Sequence, residues 1–217
     1  METKKIVENG RFDLHLHTTA SDGIYSPCEI VKMAAQISTW KKKAEQYSKV
    51  SVFQLPAKVT LGQCLNFAVS KAKYEIIAKF DDDDYYSPNY IAQAMQVFEE
   101  KQADIVGESK VFTYIQMDKR LCIRKTWNPI GGGTIMFRKR VFEKVQFPAK
   151  NSGEDNAFLK DAKKRGFKIC TTNPYNYVYI RKGHNHHAWK VSGRKLRRNC
   201  SNIMITNDYI PHVSQAP

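Results

Sequence analysis

Lys79 to Pro88 reads KFDDDDYYSP. Four adjacent carboxylates, Asp81, Asp82, Asp83 and Asp84, repel one another unless something neutralises them. They follow a run of apolar residues and precede two tyrosines and a proline. Such a loop is a fixed platform, and its oxygens can hold a divalent ion that in turn clamps a diphosphate. A solvated acidic loop or a calcium site is the plainer alternative. Two further stretches carry titratable groups. Ser152 to Lys160, SGEDNAFLK, places Glu154 and Asp155 where a helix begins, with Ser152 as its cap. Arg181 to Lys190, RKGHNHHAWK, gathers His184, His186 and His187 behind a strand, an arrangement that invites a metal.

The elements that must position these groups are read from periodicity. Ile76 and Ile77 sit in YEIIAKF, a continuous apolar strand of the kind covered on both faces. The aspartates therefore stand at the C-terminal end of a central strand, where open α/β sheets bind ligands. LGQCLNFAVSKA predicts a helix burying Leu61, Leu65, Ala68, Val69 and Ala72. SPNYIAQAMQVFEEKQ predicts another, with Ile91, Ala94, Met95 and Phe98 inward. VSVFQLP reads as a short strand ended by Pro56. ADIVGESKVFTYI, LCIRKTW and YNYVYIRKG read as strands, and GGGTIMFRK as a flexible turn entering one. At the start, FDLHLH alternates as a strand does, and CEIVKMAAQ follows as a helix. From Gly193 the chain turns basic and irregular.

The 217 residues, 42% hydrophobic, suffice for one globular domain. No stretch approaches the length of a membrane span. The polar N-terminus lacks a signal region, and five widely spaced cysteines predict free thiols, so the expected location is cytoplasmic. A net charge of +14 favours an anionic partner: a nucleotide, an acidic polymer, a membrane face or nucleic acid. The basic run Arg194 to Arg198 reads as a solvated face; contact with an anionic acceptor or a peripheral membrane surface is the alternative.

NFAVSKAKYEIIAKFDDDDYYSPNYI resembles the core of family-2 glycosyltransferases of the GT-A fold. The likeness continues through GGGTIMFRK and GEDNAFL and spans about residues 38–190. It implies an α/β fold, an incomplete GT-A domain with a mixed sheet. It also implies transfer of a sugar from a UDP- or dTDP-linked donor to a hydroxyl acceptor, with inversion, and no role for nucleic acid. Asp81 and Asp82 are then expected on the donor, Asp83 and His184 on Mn²⁺ or Mg²⁺, with His187 competing for that last position. Asp155 is expected as the general base, supported by Glu154. Arg181, with Lys182, is expected to stabilise the departing diphosphate. Combined with RKGHNHH, the pattern is most similar to glycosyltransferases of spore-surface maturation, which implies a glycan or a cell- or spore-surface acceptor.

FDLHLHTTASDGIYSPCEIVKMAA resembles a different family, the first motif of PHP-domain phosphoesterases. There His15, His17 and Asp22 imply a metal site for phosphoester hydrolysis. The later ligands of that family are absent from the pattern downstream. The expected organisation is a PHP-like fragment over 1–36, a transferase domain over 37–190 lacking its first βαβ unit, and a basic tail over 191–217. Such a chain is expected to be a weak or inactive transferase. A phosphoesterase and a degenerate, non-catalytic binding protein remain the alternative readings.

Overall fold

The computed structural model describes residues 51–56, 58–81, 83–182 and 200–215, with the backbone alone at 12–17, 202 and 203. Their elements are, in order, β1 (Phe12–His17), α1 (Leu61–Lys71), β2 (Ile76–Asp81), β3 (Tyr85–Tyr86), α2 (Tyr90–Lys101), β4 (Ile105–Glu108), β5 (Lys110–Ile115), β6 (Arg120–Lys125), β7 (Met136–Arg138), α3 (Lys139–Phe142), α4 (Glu154–Lys164), β8 (Ile169–Thr172), β9 (Tyr177–Arg181), β10 (Cys200–Ile205) and α5 (Ile210–Val213).

They form two five-stranded mixed sheets, ordered β1-β2-β7-β4-β8 and β10-β6-β5-β9-β3. In the first, β1 runs parallel to β2 and β4 parallel to β8, while β7 runs antiparallel between β2 and β4. The mixed α/β character expected from the sequence is present.

Alternation along β2 sorts its side chains between two helical layers. Ile76, Ala78 and Phe80 meet Tyr90, Ala94, Met95 and Phe98 of α2. Ile77 faces the opposite way, toward Leu61, Leu65 and Val69 of α1 and Phe158, Leu159 and Ala162 of α4. Burying each of the larger side chains contributes about 1.5–3 kcal/mol. Lys79 and Asp81 share the parity of Ile77, so they point toward the start of α4. Thr60 opens α1 with a capping box: its hydroxyl accepts from Gln63 N–H, and the Gln63 side chain accepts from Thr60 N–H at 2.9 Å.

Several local expectations change. Residues 51–56 form no strand, because β-like sequence without a ladder partner leaves its backbone groups unpaired. The cap of α4 is Gly153, at φ +75°, and not Ser152; glycine reaches that left-handed conformation at little cost. Part of the segment read as irregular forms β10, antiparallel to β6. The five thiols expected to be free include one pair, Cys122 and Cys200, joined as a disulfide with Cα atoms 5.5 Å apart. The cysteines therefore no longer argue for a reducing compartment. The helix expected over 28–36 lies outside the described residues. No helix among the described residues is long and apolar enough to cross a membrane.

Candidate active site

The site gathers around three consecutive glycines. Gly131 N–H donates to the Glu108 carbonyl at 2.9 Å, and Thr134 Oγ1 donates to the Gly131 carbonyl at 2.8 Å while accepting from Glu108 N–H. The loop is thereby tied to the end of β4. A Cβ on Gly132 would stand 2.0 Å from Asp155 Oδ2, and one on Gly133 would stand 2.9 Å from Asp81 Oδ2. Only residues without side chains allow this approach. The loop thus brings Asp81, from the end of β2, and Asp155, from the first turn of α4, against two neighbouring residues.

Tyrosines fix the geometry. Tyr86 Oη accepts from Asp81 N–H at 2.9 Å and donates to the Gly133 carbonyl at 2.7 Å, bridging β2 to the glycine loop. Tyr90 Oη donates to the Thr134 carbonyl at 3.1 Å. Tyr177 Oη donates to Asp84, whose other oxygen accepts from Ile180 N–H at 2.9 Å. Burial first, and then the nearby carboxylates, push all three phenols well above their ordinary value, so they remain donors.

The charges follow from burial and proximity. Lys79 is buried and pairs with Asp81. Burial lowers the ammonium pKa, but Asp81, Asp155 and Glu154 outweigh it and raise Lys79 above its usual value. One fixed cation therefore lies beneath three carboxylates. Burial raises Asp155, opposed chiefly by Lys79. A carboxylate raised in this way is a better proton acceptor. Burial and Asp155 push Glu154 up to about 7. Its folded value exceeds its unfolded one, so Glu154 supports the fold at pH below about 4.5 and withdraws that support as pH rises through about 7.

Of the residues singled out in the sequence, Asp81 and Asp155 meet at the glycine loop. Asp83 lies beside Asp84 and adds to the rise in the Asp84 pKa, behind burial and Asp81. Arg181 ends β9 and donates to Tyr179 Oη at 3.2 Å. The β1 register sets His15 level with Lys79 and His17 level with Asp81. Asp82, Asp22, His184 and His187 lie outside the described residues. Sequence reasoning missed Lys79, hidden in an apolar run, and Glu108. The Glu108 carboxyl is fully buried with neither oxygen hydrogen-bonded among the described residues, and burial raises its pKa well above the usual range.

Among the described residues, no three His, Cys, Asp or Glu side chains group to hold a metal ion. The donor chemistry still fits a hard divalent cation: the acidic run supplies carboxylate oxygens, and Asp81 Oδ2 lies toward the glycine loop while Asp84 is engaged on both oxygens.

The fold is similar to solved glycosyltransferase structures. S. aureus TarS 1-349 is 18% identical with a TM-score of 0.54, the match covering 78% of this chain and 60% of that one. The same protein in complex with UDP-GlcNAc is 15% identical with a TM-score of 0.51, covering 84% and 62%. The chain therefore spans about 60% of TarS 1-349. These likenesses establish a GT-A-type fold. No curated protein matches the sequence. The family model "Glycosyl transferase family 2" matches residues 29–152, which begins earlier than the expected residue 38 and ends just before α4. That match covers more than half of the 217 residues, and the chain belongs to glycosyl transferase family 2.

Proposed function

We propose that the chain transfers a sugar from a nucleotide-sugar donor to a hydroxyl acceptor, with inversion at the anomeric carbon. The observation that carries this reading is the approach of Asp81 and Asp155 to adjacent glycines, which sets a donor-side carboxylate next to a raised, base-competent one. Asp155 Oδ1 is held by Asn156 N–H at 2.6 Å, leaving Oδ2 toward the glycine loop. Asp155 takes the acceptor proton as the hydroxyl attacks. Lys79 holds Asp81 in place, and Tyr86 fixes the backbone on which Asp81 sits. Asp81 and Asp82 hold the donor, with Arg181 on its diphosphate. Asp83 and His184 would hold Mn²⁺ or Mg²⁺, which when bound offsets negative charge on the leaving nucleoside diphosphate. UDP and UDP-GlcNAc in the TarS complexes support a uridine-linked donor, with dTDP as the competing base. The acceptor is a surface glycan, and the sequence likeness to spore-surface enzymes supports that choice.

The organisation we favour keeps the boundaries at 36 and 190. The parallel pairing of β1 with β2 supports a structural use for the PHP-like segment, as a strand of the first sheet, over a hydrolytic one.

Asp83→Asn is expected to weaken Mn²⁺-dependent UDP binding at least about tenfold. Asp84→Asn keeps an acceptor for Ile180 N–H and should stay near wild type. Calorimetric titration of UDP with and without Mn²⁺ compares them. Equal losses, or none in either variant, would remove Asp83 from the metal.

A further inference from the structure

Asn176 meets two distant parts of the chain at once. It immediately precedes β9 and is only 1% exposed. Its φ of +78° is left-handed, a conformation that asparagine tolerates better than most residues with a side chain. Toward the acidic run, its carbonyl accepts from Ser87 N–H at 2.8 Å and its Oδ1 accepts from the Ser87 hydroxyl at 2.7 Å. Toward the C-terminal segment, its N–H donates to the Val213 carbonyl at 2.8 Å, and the same Oδ1 accepts from Gln215 N–H at 3.0 Å. Its Nδ2 donates to Gln93 Oε1 of α2 at 3.4 Å. All of its polar atoms are engaged, as burial demands.

The same segment touches the exit of the acidic run at further points. Asn89 Nδ2 donates to the Gln215 carbonyl at 2.9 Å, and the Tyr85 and Ser214 hydroxyls lie 3.4 Å apart. Tyr209 meets Tyr85 edge-on with ring centroids 5.6 Å apart. Val213 of α5 is fully buried against Phe112, Tyr114, Leu121 and Val178, so the segment is seated in apolar core. By contrast β3, which follows the aspartates, is two residues long, with Tyr85 paired to Val178 and Tyr86 to Tyr177. So short a ladder fixes little by itself. Asn176 and the C-terminal segment supply the remaining hold. Their influence reaches the site through two tyrosines: Tyr86 Oη binds Asp81 N–H and the Gly133 carbonyl, and Tyr177, next after Asn176, donates to Asp84.

We propose that Asn176 is a positioning residue for sugar transfer, through which the C-terminal segment Tyr209 to Gln215 sets the acidic run that meets the donor. It touches no substrate. The inference rests on the transferase reading for what binds at the acidic run, whereas the coupling is a property of the chain itself.

Two full-length variants test it. Gln215→Pro removes one N–H from Asn176 Oδ1, and Ser214, extended at ψ 122°, suits a following proline. Asn176→Gly keeps the left-handed backbone and deletes the amide. Hydrogen exchange and calorimetric UDP binding with Mn²⁺ are measured well below each melting temperature. Exchange is expected to quicken about five- to tenfold from Asp83 to Tyr90, while α1 and α4 keep their rates. UDP is expected to bind about three- to tenfold more weakly in Gln215→Pro, and more weakly still in Asn176→Gly. Adding Gln215→Pro to Asn176→Gly should cost nothing further, because the acceptor is already gone. If Asn176→Gly does not fold, Gln215→Pro decides alone. Unchanged UDP affinity in folded variants overturns the proposal, even if they melt earlier, since that is the result of packing alone. Unchanged exchange from Asp83 to Tyr90 overturns it as well. A wild-type chain that binds no UDP removes the donor reading instead, and quickened exchange confined to Asp83 to Tyr90 then still supports the coupling.

Discussion

Asp155→Asn is expected to cut turnover by about two to four powers of ten while donor affinity stays within a factor of two, the size expected on loss of a general base. In the proposed reaction Asp155 meets the acceptor and not the donor, so donor contacts survive the change. In the wild type, the rate should rise with pH as Asp155 loses its proton, with the break displaced above the ordinary aspartate value because burial raises it. The variant should lose that acidic limb. Initial rates across pH 4 to 8, with donor affinity measured separately, decide the matter. A fall in donor affinity with an intact rate per bound donor would make Asp155 a structural residue.

Gly132→Ala is expected to act on the same carboxylate without touching it chemically. The new methyl would overlap Asp155 Oδ2, with Asp155 Cγ 3.0 Å away. The end of a short side chain can turn aside, so the fold survives while the base is displaced by about 1 Å. Misplacement of that size costs on the order of a hundredfold in rate. Turnover should fall by about that factor while the melting temperature changes by less than about 3 °C, as a shift under 1 kcal/mol would give. A large drop in melting temperature with a near-normal rate would show that Gly132 serves packing.

The helices and the central strand were legible because their apolar spacing is local. Leu61, Leu65 and Val69 of α1, and Met95 and Phe98 of α2, are buried as periodicity requires. The position of the acidic run was legible because the apolar pattern of β2 ends there. What was not legible depends on partners distant in sequence. Asp84 looks like one of four equal aspartates until Tyr177, 93 residues on, donates to it. Nothing near Cys122 announces Cys200, 78 residues away. The glycine run reads as flexibility, whereas its use is close approach: the absent side chains make room for Asp155, Asp81 and Tyr177. Lys79 was absorbed into a strand pattern because its role needs Asp155 and Glu154 as neighbours, and α4 lies far along the chain. Residues 51–56 failed the other way, with a strand-like pattern and no pairing strand among the described residues.

Product analysis of the intact chain with UDP-sugars, Mn²⁺ and a glycan acceptor tests the central claim most directly. The expected products are free UDP and a glycosylated acceptor of inverted anomeric configuration in equal amounts, with no inorganic phosphate released from a phosphomonoester. Inorganic phosphate release without sugar transfer would contradict the account and favour a hydrolytic site at the N-terminal histidines. Donor binding with no turnover under any of these conditions would contradict it as well and leave a binding protein built on a transferase fold.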